Sequence, residues 1–432
     1  MAIRNETLHD CMAELLQRYF RFVQKRMDDD HTMPRRRLPK MDLGEAGAVR
    51  RVEIVDELDW GSAIPASLHD FVKDRESDVL IQGALAQPEI CRVLEQLKVA
   101  LVPMAFGYNI LQPMALKLAY AQRGLEFSEA IFESKYPELE QYLSADMDPY
   151  SLSVPLANVV LAADHLTVGP FTVRKMTGDE FRMFVFDGSF GAQSLGLSDC
   201  LLELRVRVPR GGPPLSSSDR DRLWWFVACL KLLKPGSVGY DQIHVRPMGW
   251  TGISFAEGSV LRLVSPLGKA YSLSGDDVPE LDELWRHVEP LVGEHPPFWY
   301  LGLHRFSDAV NRVRTEDRLI DLWVACESLF GRQGESGENM YRLSLRIAHL
   351  IEEDPVKRAE VRERAKRAYR SRNSVVHGGS DKRVAESGRD MEEFTRRALR
   401  KLIASQYTTH DVLIDEIERS ILGGRTDPES PP

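Results

Sequence analysis

Cysteine is scarce in this chain of 432 residues: there are five, at positions 11, 91, 200, 229 and 326, and no two form a Cys-x-x-Cys pair. Such spacing excludes a disulfide framework and a zinc knuckle, and it fits a reducing compartment. Long apolar runs are missing as well. No stretch reaches the ~18 residues of a membrane span. The N-terminus, with Arg4, Glu6, His9, Asp10, Glu14 and Arg18, lacks the apolar core of a signal peptide. A cytoplasmic protein with no membrane partner is expected. No cofactor is expected, and Asp, Glu and His do not cluster at metal-ligand spacing.

Positive charge is in deficit overall, with 56 Lys and Arg against 65 Asp and Glu. A net charge of -9 excludes a protein that coats nucleic acid over its whole surface. The distribution is uneven. Between Pro355 and Ala404 there are 15 basic residues and 7 acidic ones, a local surplus of 8. This is either an electrostatic footprint for a polyanion or a set of solvated helix faces.

With 43% apolar and 28% charged residues, the chain has the composition of a globular protein of two or three domains. The expected class is α+β. Residues 1–150 read as a mostly helical region whose first helix carries Leu8, Met12, Leu15, Leu16, Tyr19, Phe22 and Val23 at helical spacing. Within it, residues 31–40 read as a basic linker, because Pro34 and Pro39 bracket an Arg triplet. Further helices are expected to start at Ser67, Pro88, Gln112 and Ser128, with breaks at Gly107 and Pro113 and an end before Pro137.

Residues 151–296 read as an α+β middle domain. Strand-like runs cover Val159 to Ala163, Leu166 to Lys175, Leu201 to Val208, Gln242 to Arg246, Thr251 to Phe255, Val260 to Val264 and Tyr271 to Ser274. Ser216-Ser217-Ser218-Asp219 marks a loop and a helix N-cap, and an aromatic-rich helix is expected over Arg222 to Leu233. After His295-Pro296-Pro297, residues 297–424 read as an all-helical bundle. Residues 425–432 read as a disordered tail.

One hexapeptide carries chemistry. Arg372-Asn373-Ser374-Val375-Val376-His377 closes a basic helix and runs into Gly378-Gly379. A histidine moves protons near neutral pH and an arginine holds phosphate charge, which together are what metal-free RNA cleavage requires. Arg4 to His9 and Arg26 to His31 fit the same spacing, so the hexapeptide alone selects none of the three.

The surrounding blocks are more specific. The run from Glu316 to Phe330, which contains Cys326-Glu327-Ser328, then Leu345-Arg346-Ile347-Ala348, then Tyr369 to Gly379, together resemble the Apea-like branch of the HEPN domains. The resemblance covers roughly Trp299 to Gly424 and, more weakly, residues 154–235. It implies a metal-independent endoribonuclease in which Arg372 and His377 are catalytic and meet across a homodimer. Asn373 and Glu327 would support them, and Lys366, Arg367 and Arg370 would bind RNA.

Antiviral defence or toxin-like growth arrest would be the setting. HEPN toxins paired with nucleotidyltransferase antitoxins often carry a tyrosine two residues after the histidine; here that position is Gly379, which weighs against that pairing. The N-terminal region would then take a protein partner or a trigger. The alternative is a non-catalytic HEPN scaffold that binds RNA, a nucleotide or a protein through the same cleft. Geometry sets a condition on the first reading. Five steps along a helix turn about 500°, so Arg372 and His377 point some 140° apart unless the helix bends or a second chain contributes.

Overall fold

Apolar residues at helical spacing build the N-terminal part. The computed structural model describes residues 5–30, 35–43, 49–58, 60–177, 180, 200–240, 242–248, 255–258, 270–293, 297–332, 339–379, 381–405, 407 and 409–423. Helix α1 (Glu6–Asp30) buries Leu8, Met12, Leu15, Leu16, Tyr19 and Val23. They pack with α2 (Trp60–Lys73), α3 (Arg75–Leu85), α4 (Pro88–Gln96), α5 (Gln112–Gln122) and α6 (Glu129–Ser144) around one core.

Several expected boundaries moved. The helix expected at Ser67 begins at Trp60. The breaks expected at Gly107 and Pro113 are absent: Pro103–Phe106 passes through a π-helical turn at Gly107–Leu111 directly into α5. Gly107 allows a close approach there, since a Cβ would sit 3.1 Å from Val72 and 3.3 Å from Leu68. Helix α6 continues past Pro137 because Phe132, Tyr136, Leu139 and Leu143 bury one continuous face. That burial outweighs the one backbone bond that proline removes.

The linker expected at 31–40 is corrected over most of its length. Arg35–Leu43 forms β1, which pairs antiparallel with β2 (Val49–Leu58). Val52, Ile54 and Val55 give β2 its strand preference, and a two-stranded ribbon tolerates Pro39 because each strand has a free edge. Residues 31–34 lie outside the described residues.

A six-stranded antiparallel sheet follows, in the order β5-β6-β7-β3-β8-β9. Its strands are β3 (Met147–Leu156), β5 (His165–Val168), β6 (Phe171–Lys175), β7 (Cys200–Pro209), β8 (Gln242–Pro247) and β9 (Phe255–Gly258). A short parallel pair joins β4 (Val159–Leu161) to β10 (Tyr271–Leu273). The expected strand at 260–264 lies outside the described residues, as does 251–254 of the one before it.

One face of the sheet, with Leu152, Val154, Phe171, Val173, Leu202 and Leu204, is buried in a second core shared with α7 (Ser217–Leu233) and α8 (Val278–Val288). Ser216 caps α7 in a capping box with Asp219. The C-terminal helices are α9 (Tyr300–Ala309), α10 (Thr315–Phe330), α11 (Asn339–Ile351), α12 (Pro355–Val376), α13 (Val384–Ala404) and α14 (His410–Ile421). All six lie within the stretch expected to be a helical bundle.

Residues from Leu152 to Ile417 belong to the second core, so sheet and bundle share one apolar interior on both sides of residues 294–296. Polar contacts reinforce the joint: Lys231 Nζ donates to Ser307 O at 2.9 Å, and Arg396 Nε donates to Lys231 O at 3.0 Å. The molecule is therefore a mixed α+β protein with an antiparallel sheet and a helical C-terminal region. Among the described residues, no helix is long and apolar enough to cross a membrane. Residues 425–432 lie outside the described residues.

Candidate functional site

Helix α12 positions most of the residues singled out from the sequence. Asp354 starts it by accepting hydrogen bonds from the N–H groups of Val356 and Lys357 at 2.8 and 3.0 Å, with Pro355 at the first helical position. At the other end His377 is the cap residue. Its N–H donates to Asn373 O at 3.1 Å, and the N–H of Gly379 reaches Ser374 O at 2.8 Å. Gly378 lies between them with φ +78°, a left-handed conformation that closes the helix and suits glycine.

Val361, Ala365, Ala368 and Ser371 form the buried face of α12. Ser371 Oγ donates to Asp381 Oδ2 at 2.6 Å and accepts from Ser387 Oγ at 3.1 Å. The bond from Ser371 holds the Asp381 carboxyl below the usual carboxylate range. This bonding ties the end of α12 to the start of α13. Tyr369 packs edge-on against the buried Trp323 of α10, with ring centroids 5.0 Å apart.

Arg372 also turns toward α10. Its side chain is 22% exposed, and Nη2 lies 3.7 Å from Glu327 Oε1. Nη1 donates to Asn373 Oδ1 at 3.2 Å. The guanidinium carbon sits 6.0 Å from the centroid of the Tyr369 ring. Arg372 Nε is buried with no acceptor among the described residues. Three of the four expected groups, Arg372, Asn373 and Glu327, therefore lie together.

His377 does not join them within one chain. It is exposed, and α12 runs unbroken to Val376, so the two side chains leave the helix in directions some 140° apart. Counted around the helix, His377 instead lies within about 20° of Lys366 and Arg370. Arg367 and Arg370 are exposed, while Lys366 Nζ donates to Glu363 Oε1 at 2.9 Å.

Tyr341, which the sequence reading did not select, belongs beside this basic face. It is 45% exposed, with Arg362 Cζ 4.8 Å and Lys366 Nζ 5.8 Å from its ring centroid. The available signal was a surface aromatic at the start of α11, about one helix turn before the Leu345-Arg346-Ile347-Ala348 block. Between α11 and α12, the arrangement offers cations with one accessible aromatic ring, groups that hold phosphate and stack on a base.

The two other Arg-to-His matches separate from this site. Arg4 and His31 lie outside the described residues. His9 contacts Asp10 at 3.0 Å and Glu133 at 2.8 Å. Burial pulls its pKa down, but the two carboxylates outweigh this and hold it above the ordinary value. Arg26 pairs with Asp70. Among the described residues, no three His, Cys, Asp or Glu side chains form a group that could hold a metal ion.

No protein-family model matches the chain, and neither a curated protein nor a solved structure matches it.

Proposed function

We propose that the protein is a metal-independent endoribonuclease of HEPN type that acts as a homodimer on RNA. The observation that carries this reading is the state of Arg372: a mostly buried guanidinium whose Nε has no acceptor among the described residues and which stands 3.7 Å from the Glu327 carboxylate. An unpaired buried donor is costly, and a phosphoryl oxygen would satisfy it.

In the reaction, His377 takes the proton of a ribose 2'-hydroxyl as that oxygen attacks the adjacent phosphorus. Arg372 stabilises the charge that builds on the phosphoryl oxygens. The 5'-oxygen leaves and is protonated, giving a 2',3'-cyclic phosphate and a 5'-hydroxyl end. Asn373 and Glu327 hold the guanidinium in place, and Arg367, Arg370 and Lys366 hold the RNA strand. Because Arg372 and His377 diverge on one helix, each site takes one group from each chain. Defence or growth arrest in the cytoplasm is the setting such an activity suits.

A second reading, a non-catalytic scaffold, is favoured by one contact: Glu327 already offsets the charge of Arg372. Incubation of wild type, Arg372→Ala and His377→Ala with total and transfer RNA in EDTA tests the two. Cleavage by wild type alone is expected. Folded wild type that binds RNA without cutting it overturns the ribonuclease reading and leaves the scaffold.

A further inference from the structure

The N-terminal helices and the six-stranded sheet belong to different cores, and a cavity of about 730 Å³ opens along the seam between them. Lys117 of α5 and Gln141 of α6 line one side. Met147 and Pro149 of β3, Arg207 of β7 and Met248 just beyond β8 line the other. Clefts of ~300–1,000 Å³ between structural units, apolar with a few convergent polar groups, are the usual form of a small-ligand site.

Charge gives the cavity a direction. On β7, Arg205 and Arg207 both point away from the core, but their situations differ. Arg205 pairs with Glu203 at 3.2 Å, whereas Arg207 makes no ion pair or hydrogen bond among the described residues. Of the two carboxylates that line it, Glu138 is neutralised by Lys117 at 2.6 Å and Lys135 at 3.0 Å, while Asp146 is exposed and accepts a hydrogen bond from the Gln96 amide at 3.0 Å.

Among the described residues, the cavity thus presents one unsatisfied planar cation, the fork that matches a carboxylate or phosphate. Beside it, Met147 is 40% exposed. Thioether side chains adapt their shape to a flat ring and contact it favourably.

We propose that this cavity binds a small organic anion consisting of a flat ring and one anionic group. The anion meets Arg207, the ring lies against Met147, Pro149 and Met248, and the Gln141 amide reads its polar edge. A ligand there touches both separately cored parts, so its binding stabilises their junction. The site stands apart from Arg372 and His377, and its test needs no cleavage.

Calorimetric titration and thermal unfolding of the full chain would use adenosine 5'-monophosphate, uridine 5'-monophosphate, indole-3-acetate and benzoate. Adenosine and inorganic phosphate serve as half-ligands. At least one ring-bearing anion is expected to bind once per chain and raise the unfolding temperature, with each half-ligand weaker by about tenfold or more. Which probe binds distinguishes nucleotides from aromatic acids.

Arg207→Met is expected to weaken that binding by about tenfold or more, and Met248→Glu to weaken it likewise. Arg205→Met removes the same charge two residues away and is expected to leave it unchanged. The proposal is overturned if no ring-bearing anion binds wild type, if the Arg207 and Arg205 variants behave alike, or if phosphate alone binds as tightly as the best probe.

Discussion

Arg372 and Glu327 face each other between α12 and α10 with Nη2 and Oε1 3.7 Å apart, an ion pair longer than a hydrogen bond. The carboxylate is 40% exposed, so solvent screens the pair. Glu327→Gln is therefore expected to change the unfolding free energy by less than ~1 kcal/mol in urea titrations. In single-turnover cleavage it should slow the reaction by about tenfold, the scale of a positioning group, whereas Arg372→Ala is expected to abolish it. Equal loss in both variants would make Glu327 itself a proton-transfer group.

RNA affinity is expected to separate the basic residues of α12. Arg367→Ala and Arg370→Ala each remove an exposed cation, so each should lower the salt dependence of binding by about one phosphate contact and weaken all sequences alike. Lys366→Ala should matter less, because Glu363 at 2.9 Å already holds that ammonium. Filter binding of catalytically silent His377→Ala carrying each change measures this. A larger loss at Lys366 than at Arg370 would move the RNA path toward Tyr341.

Much of the helical architecture was legible because it rests on local rules. Asp354, Ser128 and Ser216 cap helices through their own side chains, and the apolar spacing of α1 needs no tertiary knowledge. What escaped depends on distant partners. Strand β3 lies inside the sheet between β7 and β8, yet Pro149, Pro155, Ser151 and Ser153 disguise it. The two serine hydroxyls are buried and bond each other at 3.1 Å, a satisfaction no periodicity reveals.

At the candidate site, the inward register of Arg372 is legible in the helical spacing of Val361, Ala365 and Ala368 before it. Its partner was harder to identify, since Glu327 comes from a helix 45 positions earlier. The divergence of His377 was also foreseeable, because it follows from five steps of helix. The exposed ring of Tyr341 drew no attention because an aromatic in an amphipathic helix is ordinarily core.

Stability should depend on pH through Lys231. The ammonium is buried between α7 and α9 and donates to Ser307 O and Oγ at 2.9 and 2.8 Å. Burial pushes its pKa down to about 7, partly opposed by Asp308. The folded state thus binds fewer protons than the unfolded chain between pH 7 and the ordinary lysine value near ~10.4. Stability rises with pH across that window, by up to ~1.4 kcal/mol per unit, and this contribution is flat below pH 7. Relative to Lys231→Met, wild type should gain stability from pH 7 to 9. Parallel curves for the two proteins would contradict a depressed lysine.

The seam between the N-terminal helices and the sheet depends on a buried arginine. Arg210 Nε donates to Asp148 Oδ1 at 3.2 Å, Nη1 to Gln96 at 3.1 Å and Nη2 to Tyr142 O at 2.5 Å. Both members of the ion pair are almost fully buried. Asp148→Ala should therefore cost ~3–5 kcal/mol by leaving that cation uncompensated. Replacing both residues with Leu should cost less than the Asp148 change alone. Urea unfolding of the two variants decides, and equal or greater loss in the double variant would show that the pair's charges are not what matters there.

Under the proposed function Arg372 and His377, divergent on one helix, form a cleaving site only across two chains. Mixing purified Arg372→Ala and His377→Ala after partial unfolding and reassembly tests it, with cleavage of transfer RNA in EDTA as the readout. Neither variant is expected to cut alone, and the mixture is expected to regain a substantial fraction of wild-type activity, leaving 2',3'-cyclic phosphate ends. A mixture that forms mixed dimers yet stays silent beside an active wild type would contradict it, as would cleavage by either variant alone.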